Sequence, residues 1–315
     1  MTAVVINEVG LRDGLQNQAI PVSCDDKLRL ARALVEAGVR AIEATSFVSP
    51  KAVPQMADAD LLFPQLPNPE LVAYSALVPN VRGLERAQAA GVREIALVLS
   101  ATETMNRRNI NMGLDEAVAV CEQTIAAALK LGMRAKAYVA VAFSCPFEGP
   151  TPADRVLKLG DRMLAAGAQE ITIADTIGAA APTAVAKLFQ QCVAVWGGGR
   201  VSAHFHDTRA LAVANAWAAL QVGVRKFDAS VGGLGGCPFA PGAAGNAATE
   251  DLVLMLEQCG FVTGISVPKL RQAVAIAGEL VQRKVGGRTT SWLEAEDLRS
   301  QREQEKRSNP EPARP

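Results

Sequence analysis

In Gly91-Val92-Arg93-Glu94-Ile95-Ala96-Leu97-Val98 a helix-like stretch stops at a glycine and a short apolar run follows. The same joint recurs along the chain. Gly38-Val39-Arg40 leads into Ala41-Ile42-Glu43, and Gly132-Met133-Arg134 precedes Ala137-Tyr138-Val139. Gly167-Ala168-Gln169 precedes Ile171-Thr172-Ile173, and Gly223-Val224-Arg225 precedes Phe227-Asp228. Gly199-Arg200 before Val201 is a shortened copy. A helix often closes on a residue at positive φ, which glycine adopts at least cost. The runs that follow are too short for helices and too apolar for loops, so they read as buried parallel strands. With Val4–Val9 and Leu71–Leu77 the strands number eight.

Helical stretches separate these runs. Ser23-x-x-Asp26 resembles a capping box, and Leu28, Ala31 and Val35 then share one face. Leu114–Leu131 and Pro182–Val195 have similar patterns. Eight strands alternating with helices point to an α/β fold, a closed (β/α)8 TIM barrel. A doubly wound open sheet is the alternative, but no G-x-G-x-x-G follows an early strand. After the eighth strand come a Gly-rich loop over 232–245 and two more helical stretches, Thr249–Cys259 and Pro268–Arg283. Residues 1–285 are therefore expected to form the barrel with added C-terminal helices. Residues 286–315 are charged and, apart from Trp292-Leu293, lack apolar periodicity; they are expected to be a flexible tail.

A length of 315 residues suits such a barrel with extras. With 49 % hydrophobic and 20 % charged residues, a disordered chain is excluded. Lys+Arg and Asp+Glu are both 32, so no overall positive field draws the chain to nucleic acid or to an anionic membrane. No apolar run approaches the roughly 20 residues of a bilayer span. No secretory pattern precedes Glu8, and the six cysteines include no Cys-x-x-Cys pair. A reduced, cytoplasmic setting is expected.

The two histidines of the chain lie in Val201-Ser202-Ala203-His204-Phe205-His206-Asp207. On a strand, positions i and i+2 share a face, so both imidazoles converge at the carboxyl end of strand seven. Barrel active sites lie at that rim. Two imidazoles there have the spacing a metal needs; hydrogen-bonded core histidines are the blander reading. Asp13, on a Gly-flanked turn beyond strand one, is the first candidate for a carboxylate ligand, although Asp before Gly is by itself an ordinary turn residue. Two nitrogens with hard oxygens suit octahedral Mg²⁺ or Mn²⁺ better than tetrahedral zinc, since no cysteine lies at ligand spacing from the histidines.

Four motifs then carry a resemblance. Glu8-Val9-Gly10-Leu11-Arg12-Asp13-Gly14-Leu15-Gln16-Asn17, Glu43-Ala44-Thr45-Ser46-Phe47-Val48-Ser49-Pro50-Lys51, His204-Phe205-His206-Asp207-Thr208 and Gly235-Gly236-Cys237-Pro238-Phe239, with Gly245-Asn246 after the last, occur in order. From about residue 4 to 285 the chain resembles the 3-hydroxy-3-methylglutaryl-CoA lyase family of metal-dependent TIM barrels. The resemblance implies one Mg²⁺ or Mn²⁺ held by Asp13, His204, His206 and Asn246. It implies a catalytic Arg12, Glu43 as its acidic partner, and Cys237 on a glycine-rich loop as general acid. It implies cleavage of 3-hydroxy-3-methylglutaryl-CoA to acetyl-CoA and acetoacetate, a step of leucine degradation. The ion would serve as Lewis acid and template, and Arg12 would aim fixed charge at the enolate oxygen.

Further expectations attach to the rim. Ser46 and Asp175 are candidates for substrate contact, while Lys51, Arg107 and Arg108 are candidates for the coenzyme A phosphates. The expected partner is an acyl-CoA small molecule, and a homo-oligomer is compatible with the pattern. Leu11 stands where the family has Pro, and Arg209-Ala210 where it has Tyr-Gly. These departures leave room for a lyase of a related ester, such as citramalyl-CoA or isohexenylglutaryl-CoA. A condensing synthase of the same group is disfavoured because little chain follows the barrel. A barrel that binds without turnover would leave Arg12 and Cys237 unexplained.

Overall fold

The computed structural model describes residues 2–236 and 245–308. Eight parallel strands close into one barrel in chain order. They are β1 (Val5–Glu8), β2 (Ala41–Ser46), β3 (Ala73–Leu77), β4 (Glu94–Ser100), β5 (Arg134–Ala140), β6 (Glu170–Asp175), β7 (Val201–Phe205) and β8 (Lys226–Ala229). The final pairing sets Val5 to Glu8 of β1 beside Lys226 to Ala229 of β8, which seals the cylinder. The (β/α)8 reading from the recurring joint is the architecture observed.

The joint glycines Gly38, Gly91, Gly132, Gly167 and Gly223 lie at positive φ, as the reading implies; in the shortened copy that residue is Gly197, not Gly199. Gly38 has φ +103°, and a Cβ there would sit 2.2 Å from the Gly264 carbonyl oxygen. Only glycine allows that approach. The first long helix, α1 (Cys24–Glu36), opens on Ser23, whose hydroxyl accepts the Asp26 N–H at 3.2 Å. Further long helices follow: α2 (Val81–Ala89), α3 (Leu114–Lys130), α4 (Ala153–Ala165), α5 (Pro182–Trp196), α6 (Ala212–Gln221), α7 (Thr249–Gln258) and α8 (Val267–Leu280). The apolar core lies between strands and helices, with Ile95, Leu97 and Leu99 of β4 and Ala135, Ala137 and Val139 of β5 all buried.

Period-two alternation sends the other strand residues into the lumen. There the barrel is polar. Glu43, Lys136, Tyr138, Thr172, Ser202, His204 and Asp228 are all buried. Tyr138 on β5 contacts Glu43 on β2 and Asp228 on β8, which it can reach only through the lumen. A buried polar network of this kind rigidifies a site when its members are satisfied.

The C-terminal segment, expected to be a flexible tail, carries a helix over residues 288–308, α9 (Arg288–Ser308). Asp251 of α7 accepts the N–H groups of Arg288 and Thr289 at 2.9 and 2.7 Å, and Glu250 accepts that of Gly287 at 2.7 Å. These carboxylates satisfy donors that a helix start leaves over. Trp292 and Leu298 are exposed, which is why no apolar periodicity marked the helix. Residues 309–315 lie outside the described residues.

Candidate active site

The loop after β1 makes a single π-turn, Gly10–Gly14, closed by the Gly14 N–H on the Val9 carbonyl at 3.1 Å. Such turns are rare and concentrate at functional sites. This one buries both Arg12 and Asp13. Glu8, fully buried below it, accepts the Gly10 and Val231 N–H groups at 2.8 and 2.9 Å and the Thr249 hydroxyl at 2.6 Å. Burial pushes the Glu8 carboxyl up to about 7, against the pull of those hydrogen bonds.

His204 ends the lumen face of β7, and His206 follows the strand. Their ring centroids are 5.1 Å apart. Asp13, His204 and His206 each bring a ligand atom within 4.8 Å of the others, all buried. Asn246 joins them by main-chain pairing. Ala247 N–H donates to the Phe205 carbonyl and Ser230 N–H to the Ala247 carbonyl, both at 2.9 Å. The segment around Asn246 thereby lies across the carboxyl ends of β7 and β8. Asn246 Nδ2 donates to Asp13 Oδ2 at 2.7 Å and to the Leu234 carbonyl at 3.0 Å. Its Oδ1 is buried with no hydrogen-bond partner. Two imidazoles, a carboxylate and an otherwise unsatisfied amide oxygen form a donor set that fits a hard divalent cation.

The charges agree with that fit. Burial would raise Asp13, but Arg12, the histidines and Asn246 hold it down at about 2, so it is a carboxylate at any ordinary pH. Arg12 gives Nη1 to Asp13 and Nε to Glu43. Burial opposes its charge, yet Glu43 and Asp13 raise its pKa further. Lys136 Nζ lies 3.9 Å from Glu43 Oε2. Arg12 and Lys136 thus face the carboxylates of Asp13, Glu43 and Asp228. The surplus is negative, as a cation site requires.

The remaining expected residues are distributed along the rim. Ser46 ends β2, buried, with a hydroxyl that finds no partner. Asp175 ends β6, and its oxygens accept the Ala179 and Ala180 N–H groups at 2.8 and 2.9 Å, so it shapes the following loop. Lys51 is exposed. Arg107 pairs with Glu103 at 2.6 Å, and Arg108 lies over the Phe147 ring at 4.8 Å. Arg209 donates to the Ala179 carbonyl at 3.3 Å from a turn where Ala210 has φ +57°. Cys237 lies outside the described residues. Gly236, just before it, accepts the Asn17 amide at 3.1 Å.

Lys136 and Tyr138 were missed in the sequence. The signal was present: Lys136-x-Tyr138 interrupts an apolar strand at alternate positions, marking a polar lumen face.

A family model described as HMGL-like matches residues 3–276. A hydroxymethylglutaryl-CoA lyase of Pseudomonas mevalonii is 44 % identical over 286 residues, 91 % of this chain and 94 % of its own length. The crystal structure of a Bacillus subtilis HMG-CoA lyase superposes with a TM-score of 0.90 at 40 % identity, covering 93 % of this chain and 99 % of that one. An HMG-CoA lyase from Acinetobacter baumannii, in complex with coenzyme A and 3-methylmalate, superposes with a TM-score of 0.88 at 38 % identity, covering 92 % and 94 %. With the barrel, the buried donor set and this agreement over nearly the whole chain, the protein belongs to the HMGL-like family.

Proposed function

We infer that the protein is a hydroxymethylglutaryl-CoA lyase, a carbon–carbon lyase that splits 3-hydroxy-3-methylglutaryl-CoA into acetyl-CoA and acetoacetate. The observation that carries this is the buried cluster of Asp13, His204, His206 and Asn246 with Arg12 fixed beside it. Asp13, His204, His206 and Asn246 would hold one Mg²⁺ or Mn²⁺. When bound, the ion supplies Lewis acidity for a hydroxyl too weakly acidic for a side chain to deprotonate unaided.

The protein's own groups do the rest. Glu43 and Asp13 clamp Arg12, so its positive charge is aimed before the reaction begins. As the hydroxyl loses its proton to a base, the bond to the thioester-bearing carbon breaks, and its electron pair becomes the thioester enolate. Arg12 stabilises the enolate oxygen. The Cys237 thiol returns a proton to the enolate carbon, giving acetyl-CoA. Ser46, with its unmatched hydroxyl, contacts the acyl part, and Asp175 holds the neighbouring loop. Lys51, Arg107 and Arg108 would meet the coenzyme A phosphates. The A. baumannii relative's complex with coenzyme A supports an acyl-CoA substrate here. No helix among the described residues is long and apolar enough to cross a membrane. A cytoplasmic setting for leucine breakdown is consistent with the sequence.

Arg209 favours a second reading. An extra guanidinium on a strained turn beside the site would suit a more acidic or differently shaped acyl group. A coupled assay with hydroxymethylglutaryl-CoA, citramalyl-CoA and isohexenylglutaryl-CoA, with EDTA as control, tests both. Highest kcat/KM for the first supports the primary reading. Cleavage of another ester alone overturns it.

A further inference from the structure

The ligand set does not end at His204. Asp228 lies on β8, buried, with both oxygens engaged. Oδ2 faces His204 Nδ1 at 3.0 Å and accepts the Tyr138 hydroxyl at 2.8 Å, while Oδ1 accepts the Asn7 amide at 2.7 Å. Tyr138 also packs edge-on against the His204 ring, at 6.2 Å between centroids and 79° between planes. The same hydroxyl lies 3.4 Å from Glu43 Oε2, and Glu43 holds Arg12. Tyr138 thus adjoins His204, Asp228 and the Glu43–Arg12 pair.

An imidazole bound to a carboxylate through Nδ1–H has its tautomer and ring angle fixed, which leaves Nε2 as the lone-pair nitrogen for an ion. We propose that Asp228, held in place by Tyr138, is the positioning residue that sets His204 for metal binding. This rests on the metal reading of Asp13, His204, His206 and Asn246. In this role Asp228 and Tyr138 are not themselves ligands. Asp228 acts through His204, and Tyr138 acts through Asp228. A disordered Asp228 would let the His204 ring turn and would loosen Tyr138 against Glu43.

The direct test is Mn²⁺ affinity, measured on EDTA-stripped protein by the electron paramagnetic resonance of free Mn²⁺. Loss of such a partner typically costs about 10- to 100-fold in metal affinity. Asp228→Asn should weaken Mn²⁺ binding by that order, and Tyr138→Phe, which keeps the ring contact, by less. Adding Tyr138→Phe to Asp228→Asn should have little further effect, because the second residue works through the first. The chain has two histidines, so ¹⁵N labelling of histidine gives two imidazoles to read. At alkaline pH one should be protonated on Nδ1 in the wild type and should lose that preference in Asp228→Asn.

A folded Asp228→Asn protein that binds Mn²⁺ within twofold of wild type overturns the proposal, provided His204→Ala has lost binding. If His204→Ala also binds normally, the metal reading itself fails. Should Asp228→Asn not fold, unchanged Mn²⁺ affinity in Tyr138→Phe, with neither imidazole of the wild type protonated on Nδ1, overturns it instead.

Discussion

Asn246 gives its amide N–H to Asp13 Oδ2 at 2.7 Å, across 233 positions of sequence. That bond ties the π-turn after β1 to the segment laid across β7 and β8. It sets the Asn246 side chain against the Asp13 carboxylate, while Asn246 bridges His206 through the backbone, and it depends on a close approach. A Cβ on Gly235, whose φ is +127°, would sit 2.5 Å from Asn246 Nδ2.

Gly235→Ala should therefore displace Asn246. The expected result is Mn²⁺ affinity reduced at least tenfold, with the fold retained, since the site sits at a loop and not in the core. Isothermal titration of stripped protein checks it. Unchanged affinity would mean that Asn246 is not a ligand.

Arg12→Gln should remove most turnover while leaving metal content unchanged. Loss of one preorganised donor typically costs on the order of 10²–10³ in kcat. Gln keeps a hydrogen-bond donor near Glu43 but leaves that buried carboxylate only the more distant Lys136, at 3.9 Å, as its cation. Near-normal kcat would remove Arg12 from the mechanism.

Glu8 gives a pH prediction for the metal-free protein. Burial raises its carboxyl from the ordinary 4.5 to about 7. A raised acid binds more protons folded than unfolded between these values, so its stability contribution is intact below pH 4.5 and is lost as pH rises through 7. The loss is on the order of 3 kcal/mol. Burial raises Glu250 in the same sense. Glu8→Gln stays neutral, so its stability relative to wild type should grow from pH 5 to pH 8 in urea unfolding with EDTA present. A pH-independent difference would show that Glu8 ionises in the fold as it does in water.

Asp251→Ala removes the acceptor for the first amides of α9. The cost should be about 1 kcal/mol. Hydrogen exchange should quicken across 288–296 while the barrel strands keep their protection. Unchanged exchange would assign the start of α9 to another contact.

The barrel was legible because its joint repeats. Each glycine stop and each buried run is a local signal, and the parallel ladder follows from alternation of helix and strand. His204 and His206 were legible because two strand positions on one face need no tertiary information. Asp13 was legible only as a candidate, since an Asp before Gly is an ordinary turn residue, and Asn246 was not legible, since an Asn in a glycine-rich loop is one too until the barrel closes; the family resemblance supplied Asn246. The pairing of Tyr138 with Asp228 escaped for the same reason. They sit on opposite walls of the lumen, and only closure makes them neighbours. The α9 helix escaped because its capping carboxylates belong to α7.

The most direct measurement is acetoacetate release from hydroxymethylglutaryl-CoA by protein stripped with EDTA and then resupplied with Mg²⁺ or Mn²⁺. Stripped protein should release none, either ion should restore release, and neither should restore it in His204→Ala or His206→Ala. Turnover that persists in the stripped protein, or ion-restored activity in either histidine variant, would contradict metal-dependent cleavage at this site.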